Sequence, residues 1–180
     1  MKLKFYLTIL DYNGGPRVKF LHDDKIIGDM HFSNVGEVTQ EFDIDFQTPT
    51  KLKVEMYGKN MKYDTLVQGN KIINDKAVII NRVDIGAVSL GKEIHVFQFY
   101  KDNGDVIDKI NYIGYNGTFV IDIDDELTKW YLKLQKQFIN KMEKFDLTEF
   151  RREIFEEQHC SVNGYIGRYL TDTLKDTSLF

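Results

Sequence analysis

The sequence holds one cysteine, Cys160, in 180 residues. No intrachain disulfide can form, so stability has to come from packing or association. His159 stands next to it, but a nucleophile and its base meet through the fold rather than by adjacency, and a lone cysteine reads first as a packed one. No apolar stretch approaches the ~20 residues that a membrane span needs. The opening "MKLKFYLTIL" alternates polar and apolar residues and lacks the apolar run and small-residue cleavage site of a signal peptide. These absences predict assembly in a reducing cytoplasm with no membrane partner. Positive charge is not in excess either, since 24 Lys and Arg face 28 Asp and Glu for a net −4. That excludes an overall basic field for nucleic acid, and Lys51, Lys53, Lys59 and Lys62 read as a solvated strand face and turn.

Enzyme signatures are missing as well. There is no GxSxG elbow, no Walker loop, no GxGxxG opening a helix and no HExxH. His22, His31, His95 and His159 are scattered along the chain. Asp23–Asp24 reads as a turn and Asp124–Asp125 as a helix start; the carboxylate pair of a glycosidase needs a cleft and a set separation. No catalytic residue is predicted.

What the sequence does have is period-two alternation. Leu3, Phe5, Leu7 and Ile9 alternate with Lys2, Lys4, Tyr6 and Thr8, which makes a strand with one buried face. Residues 17–22 and 26–32 follow as strands around the turn "HDDK". Phe42, Ile44 and Phe46 then oppose Glu41, Asp43 and Asp45, and Leu52, Val54 and Met56 oppose Lys51, Lys53 and Glu55. If these two strands pair, acid faces base across the exposed side. Residues 77–85 are more continuously apolar than the other strands, as expected of a strand covered on both faces. Strands at 94–100, 105–113 and 117–123 are joined by "KDNGD" and "YNG", each with the Asn-Gly hairpin signal. About nine short strands with no helical pattern before residue 124 predict a mainly β fold, an antiparallel β-sandwich or jelly roll.

The period changes after that. Leu127, Trp130, Tyr131, Leu134, Phe138, Met142 and Phe145 recur at spacings of three and four, an amphipathic helix with acids at its first turn. Asp146 with Glu149 reads as a capping box opening a second helix. The expected organisation is a sandwich over residues 1–124 and a C-terminal α-helical extension over 125–180. Phe145, Phe150, Ile154, Phe155, Tyr165, Tyr169, Leu170 and Phe180 are more apolar surface than a short appendage buries alone, so they are expected to make assembly contacts.

The segment "KYDTLVQGNKIINDKAVIINRVDIG" begins as a polar loop and ends as a strand. Gly15-Pro16, the run Lys25-Ile26-Ile27-Gly28, the loop Gly58-Lys59-Asn60, and Asp75 heading the strand Val78 to Gly86 together resemble calcium-dependent, xylan-binding-type carbohydrate-binding modules. The resemblance covers roughly residues 3–90. It implies a small sandwich, a glycan ligand, and calcium held through Asn60, Asp64 and Asp75. Lys59 and Lys62 depart from that pattern, because lysines repel a cation, and a calcium ion wants about six to eight oxygens. Read without the resemblance, Asp64 and Asp75 are turn residues that satisfy backbone N–H groups, and no cofactor is required. The style of the chain is also similar to virion proteins of large tailed bacteriophages.

Three functional readings follow. The first is a non-enzymatic structural or accessory component of a phage particle (decoration, neck, tail or baseplate). It would reside in the virion after assembly in the host cytoplasm, contacting other virion proteins or copies of itself. The second is a carbohydrate-binding module recognising a cell-surface or plant-type glycan. Its candidate contacts are Tyr57, Tyr63, Tyr112 and Tyr115, since such a site needs an exposed aromatic and convergent polar groups. A hydrolase is the distant third.

Overall fold

The computed structural model describes residues 1–108 and 110–143. The helix expected from residue 146 and the eight assembly residues lie outside them. The strands in chain order are β1 (Lys2–Leu10), β2 (Arg17–His22), β3 (Lys25–His31), β4 (Gly36–Asp43) and β5 (Thr50–Tyr57). A short helix α1 (Met61–Asp64) precedes β6 (Thr65–Gln68), β7 (Lys71–Asp75), β8 (Ala77–Ile85) and β9 (Val88–Leu90). A 3-10 turn at Lys92–Val96 leads into β10 (Gln98–Lys101), β11 (Val106–Asp108), β12 (Tyr112–Ile113) and β13 (Gly117–Ile123), and α2 (Leu127–Glu143) follows.

These strands build an antiparallel β-sandwich. One sheet runs β12-β8-β1-β4, with β9 also on β8, and the other runs β11-β10-β13-β5-β2-β3. Alternation places the core. Leu3, Phe5, Leu7 and Ile9 of β1 and Val78, Ile80, Val83 and Ile85 of β8 face Val18, Phe20, Leu52, Val54, Met56, Phe99, Phe119, Ile121 and Ile123 of the opposite sheet. All are buried. A fully buried large apolar side chain contributes roughly 1.5–3 kcal/mol, so this cluster is the main stabilising term. Along β8, Ala77 to Ile80 are buried in succession, matching a strand covered on both faces. Trp130 and Leu134 dock α2 onto this core, and the Trp130 indole N–H donates to the Asp122 carbonyl at 2.9 Å.

Several sequence expectations are corrected. β4 and β5 do not pair; they lie in different sheets. The acids of β4 meet the lysines of β1 instead, with Lys2 at 2.7 Å and Lys4 at 2.8 Å from Glu41. The lysines of β5 find Asp122 and Asp24. The alternation that runs on to Phe46 leaves the β4 ladder after Asp43, although Ile44 remains buried. "YNG" is not a hairpin, because β12 pairs β8 while β13 pairs β5 and β10. The Asn116 side chain is spent on the backbone of Lys59 instead. "KDNGD" does join the paired strands β10 and β11. Residues 94–96 are a 3-10 turn rather than strand, and the polar loop at 61–75 holds a helical turn and the β6-β7 hairpin. Asp124 to Glu126 lie just ahead of α2, not in its first turn. Among the described residues no helix is long and apolar enough to cross a membrane.

Candidate functional site

The candidate calcium residues Asn60, Asp64 and Asp75 come together with Lys59 and Tyr112. Gly58, at φ +72, turns the chain out of β5. Asn116 then grips Lys59 by its backbone, its Oδ1 accepting from the Lys59 N–H at 2.8 Å and its Nδ2 donating to the Lys59 carbonyl at 2.9 Å. The clamp joins residues 57–64 to residues 112–116. It also sends the Lys59 side chain inward, where the ammonium donates to Asp75 Oδ1 at 2.5 Å and to the Gly114 carbonyl at 2.6 Å. Thr65 Oγ1 donates to the same Asp75 oxygen at 2.6 Å, and the Tyr112 hydroxyl donates to the other. Asp75 thus accepts from three side chains. Gly114 permits this approach, since a Cβ there would stand 2.9 Å from Asp75 Oδ2.

Asp64 closes a second pair. It accepts from the Lys76 ammonium at 2.9 Å and from the Asn60 N–H at 2.8 Å. Asn60 caps α1 by accepting from the Lys62 N–H. Burial alone pushes Asp64 up, but the Asn60 N–H and the Lys76 ammonium outweigh it and hold the carboxyl below its usual value. Burial pushes the Lys59 ammonium down, opposed by Asp75 and Asp64. Both burial and the bond to Asp75 push the Tyr112 hydroxyl up, so it stays a donor. The carboxylates that the resemblance assigns to calcium are therefore each bonded to a lysine. Among the described residues no three His, Cys, Asp or Glu side chains gather as a metal-binding set.

The four tyrosines divide. Tyr112 is committed to Asp75. Tyr115 packs against the core beneath Lys101, whose ammonium lies 4.4 Å from its ring. Tyr63 is 58% exposed on α1. Tyr57 lies at the end of β5, with Lys19 over its ring at 4.3 Å and its hydroxyl donating to Asp29 at 2.6 Å.

Sequence reasoning missed a second feature. The outer face of the six-stranded sheet carries an open groove of about 430 Å³, lined by Lys51 and Lys53 of β5, Val96 and Phe97, Gln98 and Tyr100 of β10, and Val120 and Asp122 of β13. The residues come from three stretches far apart in sequence, so no local motif announces them; alternation along β5 and β13 is the only signal. Val96, Phe97 and Val120 are its apolar lining, with Phe97 largely buried against Phe119 and Trp130, and Tyr100 stands 43% exposed beside them. The polar groups are held in place. Tyr100 donates to Gln98 Oε1 at 2.7 Å, Gln98 Nε2 donates to Asp108 at 2.8 Å, and Lys51 pairs with Asp122 at 3.2 Å. Tyr57 projects from the same sheet face, four residues and about 13 Å along β5 from Lys53.

No protein-family model matches the chain, and no curated protein matches it. Two solved structures do. The chain is similar in fold to carbohydrate-binding modules. One is vCBM60 in complex with galactobiose, at 8% identity and a TM-score of 0.49 over 68% of this chain and 98% of that one. The other is the SeMet form of vCBM60, from work on a circular permutation linking two families of calcium-dependent carbohydrate-binding modules, at 8% identity and a TM-score of 0.46 over 67% of this chain and 89% of that one. The likeness is one of fold.

Proposed function

We propose that the chain is a non-catalytic carbohydrate-binding module that takes a cell-surface or plant-type glycan along the outer face of its six-stranded sheet. The observation that carries this is the groove beside Tyr100. A sugar ring has an apolar C–H face and a rim of hydroxyls. The groove offers an apolar lining and an exposed aromatic for the first, and Gln98, Lys51, Lys53 and Asp122 for the second. Its volume falls within the range of small-ligand sites, roughly 300–1,000 Å³. The polar groups are already bonded to one another, so little ordering cost is added on binding. Glycoside hydrolysis needs two carboxyl groups flanking the scissile bond. The groove lining holds one, Asp122, and it is paired with Lys51.

A structural role in a virion draws no support from this geometry, and the apolar residues expected to make assembly contacts lie outside the described residues. The test is an oligosaccharide panel read by calorimetry, with Tyr100→Ala and Gln98→Ala set against Tyr63→Ala. Binding that is lost in the first two and kept in the third is the expected result. Binding lost only in Tyr63→Ala moves the site to α1, and an empty panel at millimolar sensitivity removes the reading.

A further inference from the structure

The cluster around Lys59 and Asp75 carries an inference that stands whether or not the groove takes a glycan. We infer that Lys59 is the protein's own tethered cation there: its ammonium fills the position among Asp75 and the Gly114 carbonyl that a divalent ion would otherwise take, so the intact chain binds no calcium at this cluster.

The first ground is distance. The ammonium sits 2.5 Å from Asp75 Oδ1 and 2.6 Å from the Gly114 carbonyl. Calcium–oxygen distances are about 2.3–2.6 Å, so an ion at these oxygens and the ammonium would occupy the same space. The second ground is burial. The Lys59 side chain is 0% exposed and that of Asp75 4%. With the lysine chain filling the space, few waters can enter to complete a shell of about six to eight oxygens, whereas an ammonium needs only about three acceptors.

Charge is the third ground. Two carboxylates, Asp64 and Asp75, face two ammonium groups, Lys76 and Lys59. The cluster is neutral as it stands, and a divalent ion added to it would leave buried charge unpaired. The fourth ground is construction. Asn116 bonds both backbone polar groups of Lys59, and Gly114 leaves room for the approach of Asp75. The lysine is thus held at its backbone and at its tip, which is how a socket for this residue is built.

The test uses the full chain, with calcium chloride as the probe and EDTA as the reference, in thermal melts of the wild type, Lys59→Ala and Lys59→Met. The wild type is expected to melt at the same temperature in both buffers. Lys59→Ala should melt lower in EDTA and regain several degrees in calcium, because the vacated space is lined by an unpaired carboxylate and a ligand of the folded state stabilises it. Lys59→Met fills the space with an uncharged chain and should stay insensitive. A wild-type shift of several degrees that disappears in Asp75→Ala would overturn the inference. So would a Lys59→Ala melt no more calcium-sensitive than the wild type. If Lys59→Ala folds only with calcium present, the inference is upheld. If it folds in neither buffer, calorimetry of calcium against the wild type decides: binding overturns the inference and no binding upholds it.

Discussion

The indole of Trp130 stacks on Phe97 at 6.2 Å between ring centroids and 17° between planes. Phe97 also lines the groove. The chain has one tryptophan, so its fluorescence reports on the floor of the proposed glycan site from behind. Oligosaccharide binding should shift or quench the emission saturably, with the same midpoint as the calorimetric titration. The Tyr100→Ala variant should show no saturable change. A bound sugar that leaves the emission of the wild type untouched would place it elsewhere on the surface.

The same contact holds α2 to the sandwich. Trp130 is 5% exposed, and it combines the Phe97 stack with the bond to the Asp122 carbonyl. Trp130→Ala should cost about 3–5 kcal/mol, the usual range for emptying a large aromatic site. Trp130→Phe keeps most of the packing and loses the hydrogen bond, for about 1 kcal/mol. Urea unfolding followed by circular dichroism measures both. Equal losses for the two variants would show that packing carries little of the docking energy.

Much of the fold is legible in the sequence because a half-buried strand writes its own period. β1, β2, β5 and β13 can be read from apolar residues at every second position, and their inward sides are the core. Partner choice is not written that way. The acid row of β4 suits the lysine row of β1 as well as that of β5, so charge alone does not decide between them. The β6-β7 hairpin hides for another reason: most of its residues are exposed, and without a buried face there is no period to see. Asn116-Gly117 misleads because a hairpin signal describes a tight turn, while Asn116 here uses its amide to bond another segment. Asp64 and Asp75 stand out in the sequence and do come together in space. Of their lysine partners, Lys59 stands out only as a residue that would repel a cation and Lys76 not at all, since a buried ammonium and a solvated one look alike in sequence. The groove draws on β5, β10 and β13, which only the sheet order brings side by side.

Gly114 lets the backbone approach the buried pair closely. A Cβ at this position would lie 2.5 Å from the Tyr112 ring and 2.9 Å from Asp75 Oδ2. Gly114→Ala should therefore wedge the cluster apart and cost about 1–3 kcal/mol, as overpacking does. Asp75→Asn leaves the Lys59 ammonium without its charge partner and should cost more, about 3–5 kcal/mol. Both are read from urea midpoints at neutral pH. A Gly114→Ala variant as stable as the wild type would mean that the Asp75 carboxylate and Tyr112 have room to retreat, and the tightness assigned to the site would be wrong.

Acid should weaken the fold through carboxylates whose native values are depressed. Bonds from the Lys2 and Lys4 ammonium groups lower Glu41 from 4.5 to about 2. Asp64 is also held below its usual value. In the folded state both groups bind fewer protons than in the unfolded chain, so both contribute stability that acid removes; for Glu41 that contribution is present above pH 4.5 and lost as pH falls towards about 2. Thermal melts across that window should show a steady fall in Tm. The two carboxylates can be separated by salt. Glu41 and its lysines are exposed, so concentrated salt should screen their share. Asp64 and Lys76 are largely covered, so their share should persist. Glu41→Gln is expected to flatten the low-salt profile and leave the high-salt one unchanged; Asp64→Asn should flatten both. A low-salt profile identical in Glu41→Gln and the wild type would show that the β1-β4 charge ladder contributes nothing to stability.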